Sequence, residues 1–97
     1  MNVENLNKAF DNRIRLGIMS ILMVNDDMNF NSLKEMLQVT DGNLASHLKG
    51  LEDIGYLSVN KGFIGRKTNT TYEVTVDGKK AFTEHLDALE TLIKNTR

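Results

Sequence analysis

Two stretches of this sequence concentrate side chains able to make directed polar contacts. In the first, Asn43, Ser46 and His47 fall close together and Lys49 follows two positions later. These are short or planar hydrogen-bonding groups with a cation beside them. In the second, residues 60–71 hold Lys61, Arg66 and Lys67, no acidic residue, and Asn60, Thr68, Asn69, Thr70 and Thr71, all able to hydrogen-bond phosphate oxygens. The chemistry open to such groups is recognition, through hydrogen bonds to base edges and neutralisation of phosphate charge. Covalent chemistry is poorly served. There is no Cys, hence no thiol nucleophile, disulfide or Cys-rich metal framework, and His47 and His85 are too far apart in sequence for metal-ligand spacing. No Gly-rich phosphate loop closing on Lys-Ser/Thr is present, nor an HExxH motif. Ser46 and His47, adjacent on a helix, point in different directions and make no nucleophile–base pair. No metal or cofactor is expected, and an enzyme is the least expected class.

These groups act together only if the chain holds them side by side. A length of 97 residues, 40% hydrophobic and 26% charged with no Pro, is one folding unit, a single domain over 1–97. A net charge of −1 argues against coating nucleic acid by bulk charge but leaves room for a local basic patch. Between Asp11 and Asp27, Ile14, Ile18, Ile21 and Leu22 form the stripe of an amphipathic helix. Leu16, Met19 and Met23 form a second stripe opposite, which something else must cover. After an extended Met28-Asn29-Phe30, Asn31 or Ser32 can cap a short helix that turns Leu33, Met36 and Leu37 inward. Thr40 or Asp41 caps a third, with Leu44, Leu48 and Leu51 at one-turn spacing and Gly55 placed to stop it.

Two short helices joined by Gln38 to Asp41 give a helix-turn-helix over about 31–54. The period then changes to two over a hairpin of about 56–76, with Leu57, Val59 and Phe63 on one strand and Tyr72, Val74 and Val76 on the other. Ile64 to Thr70 reads as a loop too long for a two-residue turn, giving a protruding, flexible tip. Asp77 caps a last helix over about 77–95, whose apolar face carries Phe82, Leu86, Leu89, Leu92 and Ile93. The fold class expected is mainly α with a small β-hairpin (α+β). Its order is that of a winged helix-turn-helix, α-α-α-β-wing-β-α, with an extra terminal helix for dimerisation. The longest nearly apolar run, Leu16 to Val24, is too short to cross a bilayer, and Met1-Asn2-Val3-Glu4-Asn5 has no basic, apolar leader, so a cytoplasmic protein without membrane contact is expected.

The run Thr40-Asp41-Gly42-Asn43-Leu44-Ala45-Ser46-His47-Leu48-Lys49, followed by Leu51-Glu52, Gly55-Tyr56-Leu57, Gly65-Arg66-Lys67, Thr71-Tyr72 and Asp77-Gly78, resembles the small prokaryotic winged-helix transcriptional regulators related to the MarR and ArsR groups. It resembles most the stand-alone winged helix DNA-binding domain family, over nearly the whole chain. The resemblance implies that the third helix reads the major groove, that the hairpin wing touches backbone or minor groove, and that terminal helices build a homodimer. It assigns Asn43, Ser46 and His47 to base or phosphate contacts and Arg66 and Lys67 to the wing. With Thr40, Lys49, Lys61 and Thr68 these make up the expected DNA-binding set. Relatives often follow the wing Arg-Lys with Pro and a further basic residue. Thr68-Asn69 stand there instead, implying a less stiff and less charged wing.

Apolar area on both sides of the first helix, together with the last helix, points to a homodimer seam of Leu16, Met19, Met23, Phe82, His85, Leu86, Leu89, Leu92 and Ile93. Such area is costly to leave wet, at ~25 cal/mol/Å². The alternative is that the last helix folds back over the first within one subunit. His85 is expected to be packed in the core or the interface. The function expected is a sequence-specific regulator that binds an inverted repeat in double-stranded DNA, with half-sites roughly 10 to 11 base pairs apart. The competing reading is a winged-helix module for protein–protein assembly without DNA binding. No effector, operator sequence or direction of regulation is written in these residues.

Overall fold

A computed structural model describes residues 3–95, so Met1 and Asn2 of the stretch read for a leader lie outside it. Two 3₁₀ turns, Val3–Asn5 and Lys8–Phe10, precede α1 (Arg13–Met23), β1 (Met28–Asn29), α2 (Phe30–Leu37), α3 (Asp41–Asp53), β2 (Leu57–Ile64), β3 (Lys67–Val74) and α4 (Val76–Asn95). The strands form one antiparallel sheet in the order β1-β3-β2. This is an α+β winged helix-turn-helix. The extended piece after α1 is a third strand, Met28 opposite Tyr72 and Asn29 opposite Thr71.

Side-chain caps set the helix starts, because the first N–H groups of a helix have no partner within it. Asn12 Oδ1 accepts from the N–H groups of Ile14 and Arg15, and Thr40 Oγ1 accepts from Asn43 N–H. Two starts differ from the sequence expectation. α2 is capped by Asn29, whose Oδ1 accepts from Ser32 N–H, so neither Asn31 nor Ser32 is the cap. α4 begins at Val76 because Thr75 Oγ1, not the Asp77 carboxylate, accepts from Gly78 N–H. α3 ends in a Schellman motif. Gly55, at φ 85°, donates its N–H to Glu52 C=O, and Tyr56 donates to Leu51 C=O.

The core is formed by Phe10, Ile18, Met19, Leu22, Leu33, Leu44, Leu48, Leu51, Leu57 and Phe82. α1 lies at its centre, packed against α2, α3, β3 and the second 3₁₀ turn. That surrounds the second stripe of α1 and corrects its assignment to a dimer seam. Met19 is 0% exposed, and Leu16 and Met23 are half-buried against the same core. Within the subunit the stripe is covered by the core to which α2, α3 and β3 contribute.

Phe82 and His85 are likewise removed from the expected seam. Both are buried within the subunit. The Phe10 ring packs edge-on against Phe82 (5.1 Å between centroids) and His85 (5.2 Å) and at 5.6 Å from Tyr56. His85 Nδ1 accepts from Asn7 N–H at 3.0 Å, and Asn7 Nδ2 donates to the Tyr56 hydroxyl at 2.9 Å. The residues before α1, too short to show a period, close this end of the core.

The hairpin also differs from expectation. Both strands run to the tip, with Ile64 opposite Lys67, so that Gly65 and Arg66 alone make the turn. Gly65 at φ 62° supplies the positive first dihedral that a two-residue type II′ turn requires. Thr68, Asn69 and Thr70 are strand residues, and the tip is a continuation of the ladder.

Candidate nucleic-acid interface

α3 turns Leu44, Leu48 and Leu51 into the core and leaves Asn43 and Ser46 exposed on its outer face, with Thr40 exposed at its cap. The three-residue turn before it is braced twice. Gln38 adopts φ 53° and donates its N–H to Lys34 C=O, and Lys34 Nζ lies 2.8 Å from Asp41 Oδ1. The polar face of α3 is thereby held at a fixed angle to α2.

His47 sits half-buried on the flank of α3 that meets α1, where Arg15 Nε donates to its Nδ1 at 3.0 Å. Sequence reasoning missed Arg15. Two signals could have found it: a guanidinium between the apolar Ile14 and Leu16 of α1, and Gly50 in the interior of α3, where a glycine usually marks close packing. A Cβ on Gly50 would stand 2.3 Å from Arg15 Nη2 and 3.0 Å from Cζ, so the guanidinium lies across that position.

Lys49 is exposed, but its ammonium is 3.0 Å from Asp53 Oδ1 and 3.8 Å from Glu52 Oε1. The hydrogen bond to Asp53, then the charges of Asp53 and Glu52, hold its proton more tightly than the ordinary value of 10.5 implies. Lys49, expected as a phosphate contact, is thus exposed but paired within α3.

Across a groove from α3 stands the hairpin. Leu57, Val59, Lys61 and Phe63 share one sheet face with their cross-strand partners Val74, Tyr72, Thr70 and Thr68. Near the body this face packs into the core. Farther out it walls the groove, with Ala45, Leu48, Lys49 and Glu52 on the α3 side and Val59, Lys61, Thr70 and Tyr72 on the other. Burial, and secondarily the Glu52 charge, pushes the Tyr72 phenol above its ordinary 10.0. Thr68 faces the same way, beside the start of α2 at Asn29, Phe30 and Asn31. Lys61, Arg66 and Lys67 are all exposed, and among the described residues none of them has an ion-pair partner. Phe63, placed by its alternation with the core, is 75% exposed because the ladder outruns the body.

On α4 the apolar residues of the second half emerge from the core. Leu86 and Leu89 are 46% and 43% exposed, Ile93 is exposed as well, and Leu92 is half-buried. Among the described residues no group of His, Asp and Glu could hold a metal ion, and no helix is long and apolar enough to cross a membrane.

Residues 14–93 match the family described as winged helix DNA-binding domain. The chain is 36% identical over 88 residues to an uncharacterized protein of Methanocaldococcus jannaschii, covering 91% of this chain and 96% of that one. Among solved structures it is similar to a transcriptional regulator homologue from Pyrococcus horikoshii OT3, at TM-score 0.80 and 30% identity over 96% of this chain and 97% of that one. It also shares the fold of PadR from Bacillus subtilis, solved in complex with operator DNA, at TM-score 0.66 and 19% identity over 79% of this chain and 46% of PadR.

Proposed function

The chain belongs to the winged helix DNA-binding domain family, and from that premise we propose that it is a sequence-specific transcriptional regulator that grips duplex DNA as a homodimer. The observation that carries this reading is the pairing of exposed Asn43 and Ser46 on α3 with three cations of the hairpin that no carboxylate among the described residues neutralises. α3 enters the major groove, where Asn43, Ser46 and His47 meet base edges and Thr40 a phosphate at the helix start. Lys61 and Thr68 face the backbone that runs along the groove between α3 and the hairpin, and Arg66 and Lys67 reach the backbone or minor groove beyond it. Lys49 joins them only by exchanging its carboxylates for phosphate.

Leu86, Leu89 and Leu92, with Ile93, form the dimer seam on α4, since an apolar stripe on a projecting helix is favourable only when covered. A two-fold axis along this seam sets the two reading helices about 34 Å apart, hence an inverted repeat with half-sites roughly 10 to 11 base pairs apart. The Pyrococcus protein named as a transcriptional regulator homologue and the PadR fold bound to operator DNA agree with this reading. Selecting sites from a random duplex pool tests it. The expected product is an inverted repeat whose binding is lost in the Arg66→Ala, Lys67→Ala variant while the dimer persists. No enrichment, or unchanged binding by that variant, would refute it and leave protein–protein assembly as the role of the domain.

A further inference from the structure

We infer that Arg15 on α1 is a positioning residue for base recognition, which fixes the His47 ring so that α3 presents a donor, and only a donor, to the DNA. The inference rests on the DNA-binding role proposed above.

A guanidinium Nε carries its hydrogen permanently and can only donate. With Arg15 Nε 3.0 Å from His47 Nδ1, that ring nitrogen is the acceptor, and the proton of the neutral imidazole resides on Nε2. Among the described residues Nε2 has no partner and no buried side-chain nitrogen or oxygen lacks one, so Nε2 reaches solvent. The ring is thus held at one end by α1 and open at the other.

Gly50 is the independent sign that this contact shapes the helix. It lies one turn after His47, and the guanidinium occupies the space a Cβ would need. A glycine there lowers the helical preference of α3 but admits the cation. A donor-only group in the major groove is matched by guanine, which offers O6 and N7 as acceptors and no donor. It is mismatched with cytosine, whose N4 amino group only donates. Adenine N7 and thymine O4 each offer a single acceptor, so guanine, with two acceptors and no donor, is the best-matched base at the position His47 meets and cytosine the excluded one.

The test uses the intact protein and its Arg15→Met, Gly50→Ala and His47→Ala variants. In the free protein, a scalar coupling between Arg15 Nε and His47 Nδ1 across the hydrogen bond is expected in the wild type and absent from Arg15→Met and Gly50→Ala. Site selection should show both variants losing about three- to tenfold of the guanine preference at one base pair per half-site, the worth of one hydrogen bond. The base pair should be the one relaxed by His47→Ala, and adding Arg15→Met to His47→Ala should relax it no further. Gly50→Ala guards against misfolding as the cause, because alanine favours the helix and thermal stability should be kept or raised. The inference is overturned if the wild type lacks the coupling, if either variant keeps the wild-type base preference, or if Arg15→Met weakens all sequences equally. Failure of the wild type to bind any duplex would instead refute the function proposed above, with the coupling still reporting the hydrogen bond.

Discussion

Replacing Asp53 by Asn and Glu52 by Gln should make DNA binding more salt-sensitive, although neither residue carries positive charge. Both carboxylates hold Lys49, at 3.0 and 3.8 Å. A cation already neutralised by its own helix releases no counterion from DNA when it binds, because the carboxylates stand where the phosphate would. Of the cations proposed to meet DNA, Lys61, Arg66 and Lys67 have no ion-pair partner among the described residues, and a dimer doubles them. At about −0.9 per phosphate contact, the log–log slope of affinity against salt is about −5 for the wild type. Freeing Lys49 in both subunits raises the slope to about −7. Between 50 and 200 mM salt the wild type then loses about two-thousandfold in affinity and the variant about twelvefold more, read by fluorescence anisotropy on the selected operator. The pairs are solvent-exposed, so folding should change little. A wild-type slope already near −7 that the double variant leaves unchanged would show that Lys49 surrenders its carboxylates freely, and would refute the reasoning.

Leu86→Glu with Leu89→Glu should give a folded monomer by sedimentation and circular dichroism, with DNA affinity falling as the second half-site is lost. A folded dimer would refute the α4 seam. His85→Ala strips the Asn7 N–H of its acceptor and Phe10 of a ring neighbour, and should cost at least about 1–3 kcal/mol in denaturant unfolding. Gly78→Ala would place a Cβ 2.2 Å from the Tyr56 carbonyl oxygen, a backbone atom with little freedom, and should lower the melting temperature while Gly42→Ala, with open space around it, should not. Lys49 and Tyr72 both have raised folded pKa values, above 10.5 and 10.0. Their contribution to stability is complete below the unfolded values and is lost as pH rises through the folded ones, so stability should be insensitive to both around neutral pH and decline only above about pH 10.

The helix-turn-helix and the strands were legible because local physics decides them. Leu44, Leu48 and Leu51 recur once per turn, Gly55 supplies a positive φ, and Leu57 and Val59 alternate with polar neighbours. What the sequence could not show is which surface meets which. Met19 belongs to a stripe that periodicity alone cannot distinguish from an interface, since a helix at the centre of a small core and a helix between two subunits carry the same pattern. Phe82 and His85 were misplaced for a related reason. Their cover comes from Asn7 and Phe10, on turns with no repeat to detect. The candidate site was legible by residue type, in Asn43, Ser46, Arg66 and Lys67, but not by charge state. The spacing of Lys49, Glu52 and Asp53 on one helix already allowed their pairing, and what the fold adds is that Lys61, Arg66 and Lys67 have no acid beside them among the described residues.

The reading helix and the helix proposed for the seam meet at one junction. Thr75 donates its hydroxyl to Gly55 C=O at 2.6 Å and its N–H to Tyr56 C=O at 3.0 Å, and Gly78 lies against that same Tyr56 carbonyl. The end of α3 and the start of α4 are thus joined through backbone groups and one capping hydroxyl, with no flexible linker between them. Phe82 and His85 then anchor the first turns of α4 to Phe10, so that the helix leaves the body in a set direction and carries Leu86 and Leu89 outward. In a dimer built on the proposed seam, half-site spacing depends on this junction, because the relative placement of α3 and α4 carries the reading helix toward the two-fold axis. A rigid junction would in this way set the geometry of the proposed operator, provided that the residues at the junction admit one arrangement. The short approach at Gly78, which leaves no room for even a methyl group, is the clearest sign that they do.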